Sequence, residues 1–189
     1  MNKSGLTDKK MSDRRFRRTE DAIIGAFSVV GGFSNLADVI KKAKISRATF
    51  YRHHGSIQKI VLDYEEYLMS RYLRIVKNRR KKKNIGKKDV FRQMLVFIMA
   101  NKKVLLVLLK NGNGEIIRRM VRALKPNIVR VYKWSKCSGR VFEIYVNEIL
   151  AIIQDWAKDM FSEDKLDKVL WEIVYLTETA KKRLRPLEE

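Results

Sequence analysis

Three observations predict an all-α fold for this 189-residue chain: apolar residues recur at spacings of three and four nearly throughout, 46% of residues are apolar, and only two prolines interrupt the pattern. No hydrophobic run reaches the length of a membrane span, so no membrane partner is expected. The first ten residues, MNKSGLTDKK, lack the apolar core of a signal peptide, and a cytoplasmic location is expected. The length allows one or two small units. The pattern reads as two, an N-terminal arm with short helices over 1–55 and a larger helical unit over 56–189.

The most informative stretch runs from Asn35 to Ile60, NLADVIKKAKISRATFYRHHGSIQKI. Leu36, Val39, Ile40 and Ala43 place one apolar stripe on a short helix, with Asn35 positioned to cap its first amides. Lys44 and Ile45 carry a turn, and Ser46 can cap a second helix in which Phe50 is the buried anchor. Gly55 breaks that helix, and Ser56 caps a third in which Ile60, Val61, Tyr64 and Leu68 recur at helical spacing. Two short helices around a tight turn, with cations and hydrogen-bonding groups on the second, read as a helix-turn-helix for double-stranded DNA. The expected contacts are Asn35, Arg47, Ala48, Thr49, Tyr51, Arg52, His53 and Lys59.

Charge agrees with that partner, since 42 Lys and Arg against 21 Asp and Glu leave a net +21. Residues 1–88 hold 23 basic and 8 acidic residues, net +15, against 19 and 13, net +6, in residues 89–189. Much of the excess sits in two runs. Arg14 to Arg18 is either a flexible arm for a minor groove or a solvated helix start, and Asn78 to Lys88 is read as a solvated interhelical loop.

The segment ISRATFYRHHGSIQKIV closely resembles the recognition segment of the tetracycline-repressor (TetR) family of transcription regulators. The resemblance continues through AIIGAFSVVGGF, Ala22 to Phe33, and DVIKKAKIS, Asp38 to Ser46. It is strong over residues 16–62 and architectural elsewhere. This chain departs from the family in three places: the link between Gly32 and Asn35 is shorter than usual, His54 stands where the family mostly has Phe, and Ile57 stands where it often has a phosphate-facing Lys. The resemblance implies a homodimer on a palindromic operator, with Tyr51 on the DNA backbone and release by a small-molecule effector bound in the larger, helical ligand-binding and dimerisation domain.

Downstream, Ser56 to Asn78 is expected to form one long helix ended by the basic loop. Asp89 is expected to cap VFRQMLVFIMA, a helix too apolar for the surface. VLLVLLKNGNGEIIRRMV carries an Asn-Gly hairpin signal, but its period near 3.6 favours helix, loop, helix. VFEIYVNEILAIIQDWAKDMF is apolar on more than one face, and Ser162, Glu163 and Asp164 begin a last helix. A helix with two apolar faces needs two partners. The expected contact with a second subunit comprises Tyr145, Ile149, Ile152, Ile153, Trp156, Leu170, Ile173 and Val174. Phe91, Phe97, Tyr132 and Trp134 are expected around the effector, although a core role suits such residues as well.

No catalytic constellation, metal site or cofactor is expected. His53 and His54 are the only histidines, with no Cys or carboxylate cluster at ligand spacing. Gly112 and Gly114 lack the Lys and hydroxyl of a phosphate loop. Cys137, the single cysteine, reads as an ordinary thiol. Two alternatives stay open: a basic helical protein for RNA or an anionic membrane surface, and a TetR-like DNA binder without a ligand.

Overall fold

The computed structural model describes residues 8–30, 36–80, 85–111, 114–134 and 139–184, and over these it is all-helical. The helices are α1 (Asp8–Ser12), α2 (Arg14–Val30), α3 (Leu36–Ala43), α4 (Arg47–His54), α5 (Ile57–Arg80), α6 (Lys87–Ala100), α7 (Lys102–Asn111), α8 (Glu115–Tyr132), α9 (Gly139–Lys158) and α10 (Leu166–Leu184), with a 3₁₀ turn at Glu163–Lys165. Asn35, Phe33, Cys137 and residues 81–84 of the basic loop lie outside the described residues.

The chain forms two units, Met1–Arg71 with Lys103–Asn113, and Tyr72–Lys102 with Gly114–Glu189. The division differs from the expected one at residue 55. Gly55 does end a helix, but α5 up to Arg71 and α7 from Lys103 onward group with the N-terminal helices, so the boundary falls inside a continuous helix.

In the first unit, the Asp13 carboxylate accepts hydrogen bonds from the amides of Arg15 and Phe16 at 2.7 and 3.0 Å, and these start α2. The same bonds hold the Asp13 carboxyl below its ordinary value. Arg14 to Arg18 are therefore a capped helix start, with exposed arginines around a half-buried Phe16. Glu20, Ile23, Ile24 and Phe27 form the buried stripe of α2. α3 packs on α2 and ends in a Schellman turn, in which the amide of Ile45 reaches the carbonyl of Ile40 and that of Lys44 the carbonyl of Lys41, both at 3.3 Å. Lys44 takes the left-handed φ of 52° that this turn needs.

In the second unit, α6 and α9 both pack on α8 and α10. α6 begins three residues before the expected start. Gly86 is its cap residue, and Asp89, three positions on, reaches back to the Gly86 amide at 3.2 Å, so the carboxylate serves the helix end from inside the first turn. Ser162 precedes the 3₁₀ turn without a side-chain cap bond, and α10 starts only at Leu166. Helix, loop, helix holds for α7 and α8. Gly114 joins them with φ 78°, and a Cβ there would lie 2.5 Å from Cδ1 of Leu150 on α9, so this position demands glycine twice over. Arg122 ties α8 to α9 through a two-pronged contact with Glu143, at 3.0 and 2.8 Å, while its third nitrogen reaches Glu115 at 2.7 Å.

Candidate nucleic-acid interface

The local chemistry of α4 follows from its ends. Ser46 Oγ accepts the Thr49 amide at 3.0 Å and shares a hydrogen bond of 2.9 Å with the Thr49 hydroxyl. At the other end Gly55 adopts φ 67°, and its amide returns to the Tyr51 carbonyl at 3.1 Å. Ser56 Oγ then accepts the Lys59 amide at 3.2 Å and starts α5.

Between these caps the eight residues of α4 divide into two faces. Arg47, Ala48, Tyr51 and Arg52 are exposed, and at 3.6 residues per turn they fall within an arc of roughly 140°. Arg52 is tethered by a 3.4 Å bond to the Thr49 hydroxyl, and Thr49 is half-buried. Phe50 and His54 lie outside that arc and are buried. Lys59 is half-buried near the start of α5.

His53 does not share the open face with Arg47 and Tyr51. Its ring stacks on Phe16 of α2 at 4.3 Å with planes 14° apart, its Nδ1 lies 2.7 Å from Glu20 Oε1, and only 8% of its side chain is exposed. His53 was expected to contact DNA, and in the structure this imidazole instead holds α4 to α2.

His53 belongs to a buried polar cluster that the sequence does not announce. Glu20 Oε2 receives the Tyr64 hydroxyl and lies 2.9 Å from His54 Nε2, while His54 Nδ1 lies 3.3 Å from Asp63 Oδ2. Glu20 and His54 are each 1% exposed and Asp63 is 8% exposed. Burial pushes the Glu20 carboxyl up, but the hydrogen bonds from His54, Tyr64 and His53, with the charge on His54, outweigh it and leave the group below its ordinary value. Burial, and then the Glu20 charge, drives the Tyr64 phenol well above its ordinary value, so it stays a donor. The partners stand 33 to 44 residues apart in sequence. One signal was present: Glu20 occupies an apolar-face position, three and four residues before Ile23 and Ile24, and His54 fills a slot where Phe is usual in the resembling family.

Phe91, Phe97, Tyr132 and Trp134 are all buried in the second unit. Phe97 packs on Tyr72 at 5.4 Å, Phe91 on Tyr132 at 6.1 Å, and Trp134 edge-on to Tyr145 at 4.9 Å, while the Tyr132 hydroxyl donates to the Lys87 carbonyl at 3.0 Å. None of the four lines a small cavity in this unit, which has a volume of about 10 Å³ and a wall including Tyr72, Ile75, Val90, Gln93, Met94 and Asn127. Tyr72 Oη and Gln93 Oε1, both in that wall, are buried with no hydrogen-bond partner among the described residues.

Of the residues expected at a subunit contact, Tyr145, Ile149, Ile153, Trp156, Leu170, Ile173 and Val174 are buried within the chain itself, and Ile152 is half-buried. The second apolar face of α9 is thus consumed by the chain's own core. The large apolar residues left exposed on these helices are Ile144, Trp171 and Tyr175.

Among the described residues no group of three or more His, Cys, Asp or Glu is placed to hold a metal ion, and no helix is long and apolar enough to cross a membrane. No protein-family model matches the chain, and neither a curated protein nor a solved structure matches it.

Proposed function

We propose that the chain is a DNA-binding transcriptional regulator of the tetracycline-repressor kind, with α3 and α4 as its helix-turn-helix and α4 as the helix entering the major groove. The observation that carries this reading is the two-faced α4, on which Arg47, Ala48, Tyr51 and Arg52 stand open while Phe50, His53 and His54 are locked inward. A net +21 supplies the sequence-independent attraction to phosphate. Arg47 is positioned at the start of the helix, where base edges are read, and Tyr51 one turn later meets backbone. Selection of bound fragments from random duplex DNA should return a palindrome. Arg47→Ala should then cost about 1 to 3 kcal/mol and relax preference at one position, whereas Tyr51→Phe should weaken all sequences alike. Equal binding by parent and both variants would refute the assignment.

A homodimer is part of the reading, formed through the outer faces of α9 and α10 with Ile144, Trp171 and Tyr175 in place of the buried residues. Two recognition helices would then sit roughly 34 to 36 Å apart, one turn of DNA. Release by a small effector is also part of it. The unpartnered Tyr72 and Gln93 atoms favour a polar group at that wall, but the cavity of about 10 Å³ has room for about one water. An effector would therefore have to move side chains to enter. If the selection returns no preferred duplex while RNA or anionic vesicles are retained with steep salt dependence, the charge serves that other class of partner.

A further inference from the structure

We propose that the cluster beneath α4 is a proton-dependent clamp: closing it takes up one proton at the His54–Asp63 contact, so the attachment of α4 weakens as pH rises. The effect on binding rests on α4 being the nucleic-acid-facing helix, but the clamp itself does not.

The argument is one of hydrogen counting. Glu20 accepts from the Tyr64 hydroxyl and faces Nδ1 of His53 at 2.7 Å and Nε2 of His54 at 2.9 Å. A carboxylate that already takes the Tyr64 hydroxyl is the acceptor towards both imidazoles, so His54 Nε2 carries a hydrogen. A neutral imidazole has a hydrogen on one nitrogen only. Nδ1 of His54 would then be a lone pair 3.3 Å from a carboxylate oxygen of Asp63. That contact becomes attractive only with one further proton, on the imidazole or on Asp63. Both side chains are buried, so an unmatched pair there is costly.

Among the described residues no other donor reaches Asp63. α2 contributes Glu20, with Asp21 acting on Tyr64; α4 contributes His53; and α5 contributes Asp63 and Tyr64, with Tyr67 beside it. With His54 protonated, His53 a neutral donor and both carboxylates ionised, the four groups sum to −1, against −2 before the proton is taken up. A state that binds one more proton than its open counterpart loses stability as pH rises, by at most tenfold in the equilibrium constant per pH unit. Opening the clamp frees the inner arc of α4 and disorders the Arg47, Tyr51 and Arg52 face on its outside.

The test uses the full chain. Amide hydrogen exchange of α4, corrected for intrinsic rates, is followed between about pH 5.5 and 8, where imidazoles change charge. Protection in the parent should fall with rising pH by up to about tenfold per unit. In Asp63→Asn it should be flat, because the carboxamide Nδ2 can donate to the His54 lone pair and no extra proton is needed. His54→Phe, which removes both ring nitrogens, should also be flat. Retention of duplex DNA at constant ionic strength is measured alongside and should track protection. A flat parent, or variants as pH-dependent as the parent, would overturn the clamp, even if duplex is retained. A sloping parent with flat variants and no duplex retained at any pH would uphold the clamp and overturn the nucleic-acid reading.

Discussion

The buried carboxylates and imidazole among the described residues, Glu20, His54, Asp63 and Glu65, all lie in the first unit, whereas the second buries the neutral Asn127 and Thr177. The second unit closes around Phe91, Met94, Ile98, Ile116, Ile117 and Met120, and two of its buried hydroxyls pair: Tyr145 Oη lies 2.6 Å from Thr177 Oγ1, which also donates to the Ile173 carbonyl. Apolar burial is nondirectional and tolerates small shifts, while a carboxylate with three donors fixes the angle of each helix that supplies one. The difference teaches where this chain needs geometric definition. It is spent under α4, on the helix proposed to read DNA, and not in the larger core.

The largest break of that contrast should come from Glu20→Ala. It would leave His53, His54 and Tyr64 without their shared acceptor and destabilise the first unit by about 3 to 5 kcal/mol in denaturant unfolding. Replacing Glu20 by Met and His54 by Phe together should recover part of the loss, because an apolar filling needs no partner; a double variant worse than the single would contradict this account. The same carboxylate sets an acid limb. Its depressed pKa adds stability that is present above the ordinary value of 4.5 and is lost as pH falls through the lower folded value. Glu143 is also held low, by Arg122, but that pair stands half in solvent, where it is worth little. Acid should therefore open the first unit before the second, and simultaneous opening of both would count against the comparison.

Next in size, Gly114→Ala should cost the second unit about 2 to 4 kcal/mol, by forcing a left-handed alanine and crowding buried Leu150. This is a packing loss, so thermal melts should show it equally from pH 5 to pH 8, about the range in which imidazoles titrate. The smallest effect should come from Tyr145→Phe. Thr177 keeps its bond to the Ile173 carbonyl, and the loss should be about 1 kcal/mol, again without pH dependence.

Much of the helical layout was legible because it is local. Ser46, Gly55 and Ser56 punctuate α4 and α5 where capping chemistry says they should, and the outer arc of α4 can be read from residue spacing alone. The start of α6 was misplaced because a carboxylate three residues into a helix and one at its cap satisfy the same free amides, and Asp89 does the former. The unit boundary was hidden for a different reason. Nothing in the composition of α5 changes between Arg71 and Tyr72, and α7 joins the first unit from more than thirty residues downstream. His53 was assigned to DNA from its residue type and its place in the second helix; at about 100° per residue it falls roughly 170° from the middle of the Arg47–Arg52 arc, on the side of Phe16 and Glu20. The subunit-contact residues were chosen for being apolar, which selects core and interface alike.

The placement of the chain's few chromophores and imidazoles makes the two units separately visible without labels. Both histidines, His53 and His54, lie in the cluster of the first unit, and all three tryptophans, Trp134, Trp156 and Trp171, lie in the second. Imidazole proton resonances therefore watch one unit and indole fluorescence the other. Non-coincident transitions by the two signals would mean that the chain does not unfold in two states, and would give each unit its own midpoint in a single unmodified sample.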